Sequence, residues 1–375
     1  MRVLELYSGI GGMHYALKES NVEAEVVLSI DVSTVANEVY KYNFQNTPNI
    51  SRNIQSLSIE EIRKLNIDTI LMSPPCQPFT RVGLKKDALD NRSASLFHIL
   101  KLIPQIETLK FILVENVKGF DTSKTRNELV TSLQNRFNYK EFLLSPCQFG
   151  VPNSRHRYYL LAKRKDLNFC FEDSSFVSSL PENISRIFPN SRHRLLASKD
   201  GFLNPKTDTE CYKLRNIIQE EVEDKYLISE KTLQKYVSIL DIRNEDANGS
   251  CCFTKAYGHY VEGTGSVFSP YTDDVMKEHF SKLKSCKDVS LEELKSLVGL
   301  KLRYFTPKEV SRLMCFPEEF SFPNTVTNKQ RYRLLDFFVK WINLVCIVLK
   351  KLEKIRYNQH CLKKKTSSDL RLLFK

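Results

Sequence analysis

Residues 2–20 read "RVLELYSGIGGMHYALKES", and the succession within them decides the fold. The apolar run "RVLEL" gives way to a glycine cluster, Gly9, Gly11 and Gly12, and then to a stretch with one apolar face. A strand, a glycine turn and a helix in immediate succession form the first unit of an α/β sheet.

The same alternation continues outward. "EVVLSI" (25–30), "DTILM" (68–72), "FILVE" (111–115), "EFLLS" (141–145) and "RYYLLA" (157–162) are short β-rich runs, and segments such as "STVANEVYKYNF" (33–44) between them have helical spacing. Continuous apolar strands alternating with amphipathic helices indicate a mostly parallel sheet covered on both faces. The expected fold is therefore a doubly wound α/β domain. From about residue 170 the pattern decays into Ser, Asn, Pro and charge ("CFEDSSFVSSLPENISRIFPNSRHR", 170–194), as expected of a second, smaller domain. Helical spacing returns in "SLEELKSLVGL" (290–300) and "TPKEVSRLMCF" (306–316). There Thr306 as N-cap, Pro307 at the first helical position and Glu309 at the third predict a capping box. The boundaries so read are 1–175, 176–288, 289–350 and a basic tail, 351–375. "PNSRHR" occurs at 152–157 and again at 189–194 in different surroundings, a local echo and not the mark of a repeat protein.

Composition bounds the function. The chain has 375 residues, 42% of them hydrophobic, enough for a sizeable core. Its net charge is +12, but residues 350–375 hold nine Lys and Arg against Glu353 and Asp369, so the body is only mildly basic. No basic-then-apolar leader precedes the first strand, so the chain is expected to stay inside the cell. "LLDFFVKWINLVCIVL" (334–349) is interrupted by Asp336, Lys340 and Asn343 and falls short of the roughly 20 clean residues a membrane span needs. It is expected to be a buried helix, and no membrane partner is expected. The ten cysteines lack CxxC pairs, which suggests reduced thiols and no metal site.

Glycines at the end of a first strand let the backbone approach a ligand closely. Asp31 ends the second strand about 20 residues on, where an acid accepts ribose hydroxyls, so together they suggest a nucleoside cofactor. Cys76 lies in "SPPCQPF" (73–79), at the carboxyl end of the "DTILM" strand, and the prolines there stiffen the loop. The following strand, "FILVENV" (111–117), brings Glu115 and Asn116 to the same edge. A thiolate beside a carboxyl group suits cytosine, whose carbon 5 becomes nucleophilic once a thiolate adds to carbon 6 and an acid engages the ring nitrogen. Arg155 and Arg157 alternate along the strand entering "YYLLA" and are expected to point the same way, as two clamps. His98, in "SLFHILKL" (95–102), is expected to be structural, and no role is readable for His259. Phe253 and the tyrosines beside Lys255 in "KAYGHY" (255–260) are read as structural aromatics.

In the order "ELYSGIGG", Asp31, "SPPCQPF", "ENV" and the Arg-x-Arg strand, the chain resembles the cytosine-5 methyltransferases that use S-adenosylmethionine, over most of residues 1–165. Within that family it looks most like the branch named for tRNA aspartate cytosine-5 methylation, because "CFTKAYGHYVEGTGS" (252–266) matches that branch's Cys-Phe-Thr signature. The resemblance implies a Rossmann-like methyltransferase sheet, 1–175 with 289–350 as the catalytic domain and 176–288 as the target-recognition domain. It implies Cys76 as nucleophile, Glu115 as the acid engaging the base, and Arg155 with Arg157 as clamps. Glu5, Tyr7, Gly9, Ile10, Gly11 and Gly12 would line the methionine end of S-adenosylmethionine. Asp31 with Val32 would meet the ribose, Asn53 with Ile54 the adenine, and Ser73 with Pro75 would complete the cofactor site. A late Gly-Asn-Ser expected of the family is replaced by Asp336, Phe337 and Phe338. The expected reaction is methylation of a cytosine in a tRNA anticodon loop, position 38 of tRNA-Asp, in the cytoplasm and also in the nucleus. A DNA-modifying enzyme of the same chemistry and an inactive RNA-binding protein on the same scaffold are the alternatives.

Overall fold

The structure, a computed structural model, describes residues 1–20, 22–75, 93–167, 169, 176–177, 211–281 and 290–338. Cys76, the second "PNSRHR", Asn343 and the basic tail lie outside the described residues. The described residues divide into two compact units, one drawn from 1–144 and 157–179, the other from 145–156 and 180–339.

The first unit is built on an eight-stranded sheet. Its strands are β1 (Arg2–Leu6), β2 (Glu25–Asp31), β3 (Asn49–Ser51), β4 (Thr69–Met72), β5 (Phe111–Val117), β6 (Phe137–Leu144), β7 (Arg157–Arg164) and the short β8 (Phe176–Val177). They lie in the order β3-β2-β1-β4-β5-β7-β6-β8. The five strands from β3 to β5 run parallel, and β7 is antiparallel to both its neighbours. Among the described residues the helices between them are α1 (Gly12–Glu19), α2 (Thr34–Asn43), α3 (Ile59–Lys64), α4 (Ala94–Leu102) and α5 (Lys124–Leu133). Most start where a serine caps them. Ser33 accepts from the Ala36 amide, Ser123 from the Arg126 amide, and Ser58 with Glu61 completes a capping box on α3. The core is aliphatic, with Leu4, Ile30, Ile70, Ile112 and Val114 from strands meeting Ile99 and Leu133 from helices. The strand-and-helix alternation expected for a doubly wound sheet is thus what the chain forms. The three-residue β3 was missed, because "NIS" is too short to carry a periodicity.

The second unit holds a three-stranded sheet, β9 (Ile242–Arg243), β10 (Val267–Phe268) and β11 (Arg303–Tyr304), in the order β11-β10-β9. Around it lie α6 (Glu230–Tyr236), α7 (Asp273–Ser281), α8 (Leu291–Gly299), α9 (Pro307–Leu313) and α10 (Asn328–Phe338). The capping box at α9 forms as expected, with Thr306 as N-cap and Glu309 reaching back. Glu309 does more than cap: it also holds Arg303 through two contacts of 2.8 Å in the unit's interior. Glu309 also accepts from the Gln219 amide (2.9 Å) and the Phe305 amide donates to Tyr257 Oη (2.8 Å), so residues 290–338 group with the second unit, whereas the sequence boundaries returned 289–350 to the first domain. Among the described residues no helix is long and apolar enough to cross a membrane.

Candidate active site at the carboxyl edge of the large sheet

Strand register builds the site. Leu6 pairs with Ile30 and with Met72, and Met72 pairs with Val114. One residue further on, Tyr7, Asp31, Ser73 and Glu115 therefore form a row across four adjacent strands, at their carboxyl ends. Ligands of open α/β sheets bind at this edge.

The glycine turn begins the row. Tyr7 (φ 54°), Gly9 (φ 55°) and Gly11 (φ 85°) all take left-handed backbone conformations. At Gly11 a side chain is excluded twice, since a Cβ there would also lie 2.4 Å from Phe44 Cε2. Asp31 fastens this turn to the next strand: its Oδ2 accepts from the Gly9 amide (2.9 Å) and its Oδ1 from the Ser33 amide (2.8 Å). Ile10 and Gly12 are buried beside it, while the Val32 side chain is 73% exposed. An apolar side chain left in solvent next to an anchored carboxylate suits a ligand with a flat apolar face and adjacent hydroxyls.

Glu5 is completely buried and accepts a hydrogen bond from Tyr40 Oη at 2.8 Å. Burial, and then the Glu5 charge, push the Tyr40 phenol well above its ordinary range. Tyr7 Oη donates to Ser95 Oγ at 2.9 Å. Asn53 and Ile54, expected beside the adenine, follow β3. Asn53 caps a short turn by accepting from the Gln55 amide, and the Ile54 side chain packs in the aliphatic core.

Ser73, Pro74 and Pro75 lead into Cys76. The Ser73 amide donates to the Leu6 carbonyl (3.4 Å), and Asn116 Nδ2 donates to the Pro74 carbonyl (3.3 Å). Asn116, a residue without an expected site role, thus ties the end of β5 to the prolines that precede Cys76. Its signal was its place beside Glu115. Glu115 faces Arg157, with Nε and Oε1 3.3 Å apart and both side chains largely buried. An arginine beside the carboxylate fixes its direction.

Arg155 does not accompany Arg157. β7 begins at Arg157, so the two arginines do not share a strand face as expected. In the second unit the Arg155 guanidinium is enclosed. Nη1 donates to Cys252 Sγ (2.8 Å) and the Phe253 carbonyl (3.0 Å), and Nη2 donates to Asp336 Oδ1 (3.1 Å) and the Asp336 carbonyl (2.8 Å). The other carboxylate oxygen of Asp336 accepts from the Lys255 amide at 3.0 Å. The residue standing in place of the expected glycine therefore locks Arg155 to the Cys-Phe-Thr segment. Phe253 and Tyr257 meet edge to face in that segment, as structural aromatics do. His98 is likewise structural, with Nε2 2.8 Å from the Leu57 carbonyl. A separate cleft of about 380 Å³ in the second unit, lined by Tyr226, Lys308, Phe322 and Arg331, takes in none of the candidate site residues.

The edge of the first unit fits S-adenosylmethionine. Asp31 suits ribose hydroxyls, the buried carboxylate of Glu5 suits an ammonium, and the Oγ atoms of Ser8 and Ser73 are buried at the strand ends without a hydrogen-bond partner. The family model for C-5 cytosine-specific DNA methylase matches residues 1–335. A rat protein named tRNA (cytosine(38)-C(5))-methyltransferase is 43% identical over 380 residues, covering 89% of this chain and 95% of that one. A DNA (cytosine-5)-methyltransferase of Dictyostelium discoideum is 40% identical over 354 residues, covering 89% of this chain and 90% of that one. The crystal structure of a Spodoptera frugiperda DNMT2 mutant superimposes with a TM-score of 0.80 at 41% identity, covering 94% of this chain and 99% of that one.

Proposed function

Since the chain belongs to the C-5 cytosine-specific DNA methylase family, an enzyme family whose methyl donor is S-adenosylmethionine, we propose that it methylates a cytosine of tRNA. The proposed target is position 38 in the anticodon loop, with tRNA-Asp as substrate, met in the cytoplasm and the nucleus. The observation that carries the reading is the row Tyr7, Asp31, Ser73 and Glu115, with Glu115 held by Arg157 and the loop before Cys76 held by Asn116.

In this reading Cys76, as thiolate, adds to carbon 6 of the target base, and Glu115 hydrogen-bonds the ring nitrogen so that the electron pair reaches carbon 5. S-adenosylmethionine, when bound, supplies the sulfonium methyl group. Loss of the carbon 5 proton then expels Cys76. Arg157 keeps the carboxyl of Glu115 aimed at the base, and Arg155 holds the Cys-Phe-Thr segment in shape. A base must leave its stack to meet a thiolate, and this costs least in a single-stranded loop, which favours a tRNA anticodon loop.

The test is mass spectrometry of a tRNA-Asp transcript after incubation with the chain and S-adenosylmethionine, beside a DNA duplex of matching sequence. The expected result is one methyl group on cytosine 38, lost in Cys76→Ala while cofactor binding persists. Methylation of the duplex alone would favour the reading carried by the Dictyostelium relative, and unimpaired turnover by Cys76→Ala would overturn the nucleophile.

A further inference from the structure

The cleft of about 380 Å³ in the second unit takes in no residue of the proposed reaction, yet its lining suits a flat, polar ligand. Tyr226, Phe320 and Phe322 supply aromatic wall. Phe320 and Phe322 meet edge to face with ring centroids 5.0 Å apart, and the Arg331 guanidinium lies over the Phe322 ring, 5.6 Å from its centroid. Backbone carbonyls hold this arginine, which belongs to α10. Nε donates to the Val326 carbonyl (2.9 Å) and Nη2 to the Pro323 carbonyl (3.4 Å), while Nη1 has no partner among the described residues.

The other charges of the lining are mostly engaged. Glu223 pairs with Lys225 (2.5 Å), Glu318 pairs with Arg312 (2.9 Å), and Lys308 donates to the Glu318 and Phe320 carbonyls (2.6 and 3.3 Å). One carboxylate is left. Glu221 is exposed and has no hydrogen-bond or ion-pair partner among the described residues. A ligand that fits must therefore offer donors to Glu221 and acceptors to Arg331, on a flat frame that packs among the rings.

Of the common bases only guanine answers both. Its Watson–Crick edge presents two neighbouring donors, N1–H and the N2 amino group, which a carboxylate accepts together, and its other edge presents O6 and N7, the acceptors a guanidinium reads. Adenine and cytosine put a ring acceptor beside their amino group, and uracil flanks its N–H with carbonyls, so each sets a lone pair against Glu221. We propose that this cleft binds guanine, packed among its aromatic rings, with Glu221 on the Watson–Crick edge and Arg331 on O6 and N7. The guanine belongs to an unstacked nucleotide of the RNA substrate or to a free guanine nucleotide.

Two kinds of probe separate these sources, and both read binding to the full chain without any methyl transfer. One is a labelled uridine hexamer with a single central guanine, followed by fluorescence anisotropy beside hexamers in which adenine or hypoxanthine, which lacks the N2 amino group, replaces that guanine. The other is guanosine monophosphate against adenosine monophosphate in calorimetry. Guanine should be preferred to adenine about ten-fold or more, with hypoxanthine between them. Glu221→Gln, a change at an exposed position, should abolish the preference, and Arg331→Met should weaken the guanine probe about ten-fold. A preference seen with the hexamer alone assigns the guanine to RNA, and one seen with the monophosphate assigns it to a free nucleotide; either supports the site. No preference for guanine in either probe, or a preference that persists in folded Glu221→Gln, would overturn it.

Discussion

Arg155 and Arg157 are neighbours but one in sequence, and they teach opposite lessons. Arg155 is a solvent-free ion, its side chain 1% exposed and its two amino groups committed to four acceptors of the second unit. Arg157, 13% exposed, meets Glu115 through a contact of 3.3 Å at the edge of the large sheet. Enclosed charges hold a fold together because leaving any of them unpaired is costly. Arg157 and Glu115 stand at the sheet edge where the substrate is proposed to bind. The two regions should therefore respond differently to the same perturbation, and the largest difference is expected here. Arg155→Met strands the Asp336 carboxylate and two carbonyls and should lower unfolding stability by about 3–5 kcal/mol in urea titration. Arg157→Met removes one partner of the largely buried Glu115 and should cost less than that, about 1–3 kcal/mol of stability, but at least roughly 100-fold in turnover. Equal stability losses would show that the distinction is false.

The same contrast explains what was legible in the sequence. The glycine turn, Asp31, Ser73 and Glu115 are ends of consecutive strands, and a parallel sheet brings such ends into one row once the strands are recognised. The capping box of Thr306 and Glu309 was equally readable, because it is local. Arg155 was not. Its partners lie 97, 98 and 181 residues away in the chain, and no periodicity relates positions so distant. Asp336 looked only like the loss of a glycine; that a carboxylate there would find both a guanidinium and the Lys255 amide is a property of packing.

In each region a glycine stands where a side chain would collide with aromatic rings. Gly11 has φ 85° and a Cβ there would sit 2.4 Å from Phe44; Gly265 has φ 150° and a Cβ there would sit 2.7 Å from Tyr257 and 2.8 Å from Phe253. Gly→Ala at either position should cost about 2–4 kcal/mol, combining backbone strain with overpacking. The sharper outcome is in binding. Gly11→Ala should weaken S-adenosylmethionine in calorimetry, while Gly265→Ala, where folded, should leave its affinity unchanged.

A pH titration sharpens the comparison from another side. Burial, with Lys18 contributing, lowers the His14 imidazole to about 4. Its folded value lies below the ordinary 6.5, so the unfolded chain binds the proton first and stability falls as pH drops from about 6.5 to 4. His14→Phe removes that dependence. Measured by urea titration, the stability difference between the unaltered chain and His14→Phe should move by about 2–3 kcal/mol in the variant's favour between pH 7 and 4. A constant difference would mean that His14 does not titrate in this window.

The smallest effect should come from a far more exposed ion pair. Arg52 Nη1 lies 2.6 Å from Glu61 Oε1, and Glu61 also accepts from the Ser58 amide in the capping box of α3. The Arg52 contact, and then the Ser58 amide, hold the Glu61 carboxyl down to about 2. The sign is that of a depressed acid: its stabilisation is present above about 4.5 and is lost as pH falls toward 2. The pair is solvent-exposed, so its attraction is screened, and 1 M salt should erase it while leaving the His14 effect in place. Acid unfolding of Glu61→Gln and the unaltered chain should therefore differ slightly at low salt and coincide at high salt. A Glu61 effect that survived 1 M salt would place this pair with Arg155 among the enclosed charges, and the division between edge and interior would have to be drawn elsewhere.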